Sequence, residues 1–443
     1  MIGCALPMVM GSRLSRKMWL NSTAIISILG VVIEMTSAIG SHARYGQFIA
    51  GKIINSIAMG IACNIIPIYL SETAPTSARG FYINWYQAVQ VAGAIIASGI
   101  VYAVEARPDK GAFLIPMGFQ LVTPVIMLGV VYWIPESPRW LVWAGRELEA
   151  ITEANALFLT PTNGFDAEAY CTTLVLAFQE ERRLAVSTGW GDIFRMPDLR
   201  RMLIAIGIQA LQQAQGSSYM LNYIASFLIG TGVTNVFPII LSLFCFYLFW
   251  ICSGFFLPDL IGRRPVLIGS SVLCAIGLIL VAILTSVYTD PSTSVQKASI
   301  GLIFVWYIGF GIQSPLTWIV SSEMAPTRNR EKVLGMATFV GSGVGLLIVF
   351  VAPYMQDAGY GNLGSRIGFI WGSFSIINVA FAFFFVPEVK GYTLEQIDYL
   401  FEQRVPARKF KGYDFTEYLA TVTPVDEVEL SGAEGKKEAE AMA

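Results

Sequence analysis

Apolar positions along this chain do not alternate; they gather into long runs separated by short polar connections. Runs of about 20 mainly apolar residues, long enough to cross a bilayer as a helix, fall near 18–40, 44–70, 80–103, 113–134, 201–230, 236–257, 265–288, 298–321, 332–355 and 364–386. Residues 1–11 are apolar over about half that length. Between the fourth and fifth full runs, residues 135–200 are polar, with helix-like segments near 142–158 and 165–184 around a turn at Pro161-Thr162-Asn163-Gly164. Past Pro387, the spacing of Leu394, Ile397, Leu400 and Phe401 predicts a short amphipathic helix. The last stretch of chain is acidic, poor in aromatic residues and reads as disordered.

The polar connections repeat. Ser71-Glu72-Thr73-Ala74-Pro75-Thr76, followed by Arg79, recurs as Ser322-Glu323-Met324-Ala325-Pro326-Thr327, followed by Arg330. Pro135-Glu136 recurs as Pro387-Glu388, and the basic stretch Ser12 to Lys17 recurs as Asp259 to Arg264. All three pairs share an offset of roughly 250 residues, so one unit is written twice. The second copy carries six apolar runs and the first only four and a half. The expectation is that the first helix and the start of the second are absent, through truncation or a misplaced start codon rather than a natural short form. The expected organisation is a first helical bundle over 1–134, a cytosolic linker with short helices over 135–200, a six-helix bundle over 201–387 and a cytosolic, partly disordered tail over 388–443.

Composition narrows the setting. Hydrophobic residues make up 55% and charged residues 14% of the 443, with a mean hydropathy of +0.60. A soluble fold cannot bury that much apolar surface, so lipid is the solvent for most of the chain. A net charge of −2 argues against nucleic acid as a partner. The six cysteines (Cys4, Cys63, Cys171, Cys245, Cys252, Cys274) show no CxxC spacing and read as reduced thiols. With His42 the one histidine, neither a metal site nor a cofactor is expected, and no nucleophile–base set points to an enzyme. Basic residues mark the cytosolic side: Arg13, Arg16, Lys17, Arg139, Arg146, Arg263 and Arg264 flank one set of ends, against Arg44, Arg107, Lys110, Lys297 and Arg366 on the other.

At this point the chain resembles a family, the sugar porters of the major facilitator superfamily, and within them the fungal-type sugar and polyol permeases. Pro135-Glu136-Ser137-Pro138-Arg139-Trp140-Leu141 matches the PESPRWL signature after the sixth helix. Pro387-Glu388-Val389-Lys390-Gly391, followed by Leu394-Glu395-Gln396-Ile397-Asp398, matches the one after the twelfth. Asp259 to Arg264 matches the D-x-x-G-R-R loop, Gln212-Gln213 the glutamine pair of the seventh helix, and Pro315-Leu316-Thr317-Trp318 a tenth-helix segment. The resemblance runs from residue 1 to about 401 and implies an all-α membrane protein of the major facilitator fold. Two pseudo-symmetric bundles, with about 11 of 12 transmembrane helices present, would rock about a central site. It implies transport of a sugar or polyol, with proton coupling, direction and ligand identity left open. Export of a small secondary metabolite and a non-transporting nutrient receptor are the rival readings. The expected location is a multi-pass position in the plasma membrane with a cytosolic C-terminus.

Two groups of residues are singled out. The first is charged and cytosolic: Glu72, Arg79, Glu136, Arg139, Asp259, Arg263, Arg264, Glu323 and Arg330. Carboxylate–guanidinium bonds are directional and strong, so a network joining Glu72 and Arg79 to Arg263 or Arg264 would lock one conformation. Surface pairs of no consequence are the bland alternative. Ser12 and Ser15 stand where the family has aspartate and glycine, which is expected to weaken one half of that latch. The second group suits an uncharged ligand rich in hydroxyls, because amides both donate and accept. Gln209, Gln212, Gln213 and Gly216 share one face of the seventh helix. The resemblance adds Gln87, Tyr223 as a gating aromatic, and Trp318 as a flat surface for a sugar ring, with Gln90 a weaker candidate. Helix-to-helix bonding by these amides is the alternative. Ser218, Tyr247 and Gly341-Ser342-Gly343 depart from the family's amides. Finally, Glu34 and Lys52 lie at similar depth on neighbouring antiparallel helices. They can meet as a pair that serves coupling, or as a structural pair or a snorkelling lysine.

Overall fold

The structure is a computed structural model. It describes residues 14–38, 44–74, 79–159, 165–187, 191–233, 235–288, 293–326, 329–357, 359–392 and 394–413. Expectations placed on residues 1–13, His42, the turn at 161–164 and the tail beyond 413 lie outside the described residues, as do those on Pro75, Thr76, Thr327 and Arg328 and on the side chain of Arg79.

Every regular element among the described residues is helical, as lipid demands when backbone groups must be satisfied within each segment. In the first half these are α1 (Arg16–Thr36), α2 (Tyr45–Thr73), α3 (Arg79–Val104), α4 (Gly111–Phe119) and α5 (Val122–Val131). The last two form one crossing interrupted at Gln120-Leu121. The linker holds α6 (Pro138–Trp143), α7 (Glu147–Phe158) and α8 (Ala167–Ser187). The second half begins with α9 (Asp198–Gln212), a π-turn over Gln213–Ser217, α10 (Ser218–Asn222) and α11 (Ile224–Gly230). It continues with α12 (Phe237–Ser253), α13 (Leu257–Ile261), α14 (Arg263–Val287), α15 (Thr293–Met324), α16 (Arg330–Gln356) and α17 (Gly368–Phe385). A terminal helix, α18 (Leu394–Glu402), follows. Nine segments among the described residues are long and apolar enough to cross a membrane.

One expected crossing is corrected. The run at 201–230 does not fold as one helix: it starts at Asp198 and breaks at the π-turn, where Gly216 adopts φ +91°. A side chain there would strike Trp371 of α17, whose Cγ would lie 2.7 Å from an added Cβ. Glycine is the residue that admits both the left-handed backbone and this approach.

Each half has its own interior. Trp19, Leu20, Ile61, Ile65 and Val131 join α1, α2 and α5. In the second half one cluster surrounds Tyr219, Phe227, Tyr247, Trp306 and Tyr307, and another surrounds Leu267, Leu316, Val386 and Phe401. Large apolar side chains such as Leu29, Phe249, Phe350 and Phe384 stay exposed. On membrane-crossing helices such faces meet lipid, and dispersion and close packing rather than water exclusion hold the helices together. The halves meet where α3 runs beside α12; Ala88 and Val91 of α3 belong to the second half's cluster. The linker has a private core of Trp140, Leu141, Ala150, Ala154 and Cys171.

Candidate functional site

The charged motifs form two copies of one arrangement. In the first half Arg16 binds Glu72 through both Nε (3.0 Å) and an Nη (2.8 Å). The Glu136 carboxylate accepts from the backbone N–H of Arg16 (3.1 Å) and Lys17 (3.3 Å), capping the start of α1. In the second half Arg263 binds Glu323 (3.1 Å) and Asp259 (2.8 Å). Glu388 accepts from the backbone N–H of Arg263 and Arg264, both at 3.1 Å, at the start of α14. A carboxylate at a helix N-terminus meets unpaired donors and the positive end of the helix dipole, which is why the motif's Glu follows each bundle's last crossing.

Three expectations about this network are corrected. Glu72 does not bond to Arg263 or Arg264; its partner is Arg16, so these bonds stay inside their own halves. Arg16, which sequence reasoning left out of the charged group, is the counterpart of Arg263; the repeat offset alone would have found it. Ser15 does not weaken the first copy. It sits at φ −66° and caps α1 by accepting from the Met18 N–H (3.1 Å). Gly262, at the matching place, has φ +119°, and a Cβ there would lie 2.5 Å from Glu388 Oε2. The second copy needs glycine; the first takes a different backbone path. Of the others, Arg139 stacks on Phe178 of the linker (5.4 Å), Arg330 donates to the Ser322 carbonyl (3.2 Å) and Arg264 donates to the Phe383 carbonyl (2.6 Å).

The amide group divides into two walls. On the broken helix, Gln209 and Gln212 are buried and Gln213 is half-buried. The Gln212 backbone carbonyl accepts from the Ser217 hydroxyl (2.8 Å), and Gln209 leaves its buried Nε2 unpaired. Gln213 turns its Oε1 to the Ser218 hydroxyl, so Ser218 serves the break, and the Gln213 amide N–H groups remain for other partners. Tyr223 stacks on Tyr219 (5.9 Å), donates to the Val349 carbonyl (3.2 Å) and lines an outer cavity with Phe350, Tyr354 and Tyr360. The second wall spans both halves. Gln87 of α3 donates to the Ser314 hydroxyl of α15 (3.2 Å). Trp318, one turn along the same face of α15, is 46% exposed. Gln90 is exposed. Tyr247 does not face a cavity; it is buried and stacked on Phe310 (5.3 Å).

Behind these walls lies a polar chain that sequence reasoning missed. Gln215, in the π-turn, donates to Gln313 of α15 (2.6 Å), Gln313 donates to Ser271 of α14 (3.4 Å), and Asn378 of α17 donates to the same hydroxyl (3.1 Å). Its signal was an amide, Gln313, inside an apolar run. Glu34 and Lys52 do meet, at 3.2 Å, with the carboxylate fully buried and the lysine half-exposed beside Phe48.

Two bundles with paired charged motifs and amides at their junction define a membrane transporter of the major facilitator fold. A family model described as sugar (and other) transporter matches residues 1–401, and the chain belongs to that family. The major facilitator-type transporter ecdD of Aspergillus rugulosus is 29% identical over 411 residues, 90% of this chain and 75% of that protein. The high glucose sensor RGT2 of Saccharomyces cerevisiae is 28% identical over 391 residues, 86% of this chain but 50% of that protein's length. In fold, the inward-open xylose transporter XylE from E. coli superposes with a TM-score of 0.72 at 21% identity, covering 90% of this chain and 86% of that one.

Proposed function

We propose that the chain carries a sugar or polyol across the membrane by alternating access, with Gln87, Gln209, Gln212, Gln213, Tyr223 and Trp318 contacting the ligand. The observation that carries this reading is the buried, unpaired Nε2 of Gln209 on the helix that breaks at the π-turn. Gln213, one turn on, keeps donors in reserve. An uncharged polyhydroxy ligand supplies what these groups lack, and no ion does so as well. The low-affinity glucose transporter HXT3 of Saccharomyces cerevisiae, 26% identical over 421 residues, supports the ligand class. The paired clusters around Arg16–Glu72 and Arg263–Glu323 hold the cytosolic ends of each bundle as rigid units. The C-terminus and linker face the cytosol of a plasma-membrane carrier.

The test is uptake of labelled sugars by transport-deficient cells expressing the chain. Replacing Gln212 or Gln213 by alanine removes one or two ligand hydrogen bonds worth about 1 kcal/mol each, so KM rises roughly five- to thirtyfold while surface expression holds. Unchanged uptake kinetics in both variants would sink the assignment. Glu34 and Lys52 are the candidates for proton coupling: in Glu34→Gln, uptake should lose its sensitivity to a protonophore. The 28% identity to a glucose sensor favours a second reading, nutrient reception; signalling by expressing cells without net accumulation of label would establish it.

A further inference from the structure

We infer that Gln313 and Gln215 form a clasp that couples occupancy of the cleft to movement of the outer part of the broken helix. The inference rests on the transport reading and deepens it. A π-turn interrupts the backbone ladder, and Gly216 at φ +91° gives it no steric preference of its own. Contacts from other helices must therefore fix its setting. Gln215 is the side chain that leaves the turn for this purpose, bonding Gln313 at 2.6 Å with both residues 0% exposed.

The position of Gln313 gives the clasp its role. The next residue on α15 is Ser314, whose hydroxyl takes the bond from Gln87 of the other half (3.2 Å). Neighbouring helical residues point about 100° apart, so this dipeptide touches the junction with one side chain and the hinge with the other. Pro315 follows inside the helix and removes its bond to the Gly311 carbonyl, leaving this stretch of α15 easier to twist. A hydroxylated ligand that claims the Gln87 amide leaves Ser314 only its bond with Tyr247 among the described residues, and the change passes through Gln313 to Gln215. The Gln215 Oε1 and Asn378 Oδ1 atoms are buried and unpaired. Such unsatisfied acceptors mark a network with something to gain by rearranging. Gln215 and Gln313 are thus positioning residues that act through the hinge, apart from the ligand contacts.

The test uses the full chain in liposomes, with Gln215→Leu, Gln313→Leu and the double variant, and labelled D-glucose, D-xylose and D-sorbitol as probes. Each single variant buries an unpaired amide and melts lower; the double variant removes both amides and recovers most of the melting temperature. It binds the probe that the wild type binds within twofold, while its maximal exchange rate falls at least tenfold. Wild-type exchange by the double variant overturns the coupling alone. Absence of probe binding by the wild type overturns the transport reading and the coupling with it. Ser314→Ala, nearly isosteric, gives an independent check. The probe should alter hydrogen exchange of residues 218–230 in the wild type and not in this variant; an equal response in both overturns the clasp.

Discussion

At the scale of single residues, the two copies of the charged motif differ in one backbone setting, and that difference predicts unequal mutants. Gly262 holds a conformation closed to other residues and abuts Glu388. Gly262→Ala should cost about 2–3 kcal/mol, seen as a lowered melting temperature in detergent. Ser15→Gly should lose only a few tenths of a kcal/mol, since glycine is a tolerable N-cap. Equal losses would contradict the different roles given to the two positions. This contrast also shows what could be read in advance. The recurrence of Glu72/Glu323 and Glu136/Glu388 revealed that a charged arrangement occurs twice. It could not reveal that each copy closes on itself, because partner choice depends on bundle geometry. Gln215 and Gln313 escaped notice for a related reason: their bond crosses almost a hundred positions, and nothing local links them.

At the scale of elements, α18 and the π-turn make opposite points. Leu394, Ile397, Leu400 and Phe401 announced an amphipathic helix, and its buried face packs beneath α9, α15 and α17. What the pattern could not announce is the anchor. Arg201, 2% exposed, bonds Asp398, donates to the Met324 (2.7 Å) and Ala325 (3.1 Å) carbonyls, and stacks on Phe401 (4.9 Å). Asp398→Ala removes the carboxylate bonded directly to this guanidinium and leaves it the weaker fields of Asp198 and Glu402. The loss should be about 2 kcal/mol, below the full penalty for a buried pair because Asp398 is 27% exposed. Limited proteolysis should then cut near 394–413 sooner than in the wild type. The π-turn was illegible because Gly216 in an apolar run is compatible with an unbroken helix, and Trp371 lies far along the chain. In the linker, burial and nearby Glu147 push the Cys171 thiol above its ordinary range. Buried in the linker core, it should take maleimide only after denaturation. Because Cys63 and Cys245 are exposed, the label is read by peptide mapping, and rapid labelling of Cys171 itself in the native protein would contradict the packed core.

At the scale of the whole molecule, the twofold repeat was the most readable property of the chain, because three motif pairs keep one offset and a membrane permits few ways to satisfy it. The junction was less readable: α3 against α12 is apolar, and apolar residues in membrane helices look alike whether they meet lipid or protein. The anchoring of α18 has a practical consequence. That helix docks on the second bundle, while the linker hangs from the first through the bond from the Tyr69 hydroxyl to the Pro135 carbonyl (2.8 Å). A fluorescent reporter fused after Tyr413 would ride with one bundle, and a dye at the exposed Leu148 would ride with the other. Energy transfer between them would time the rocking strokes of a working carrier, cycle by cycle.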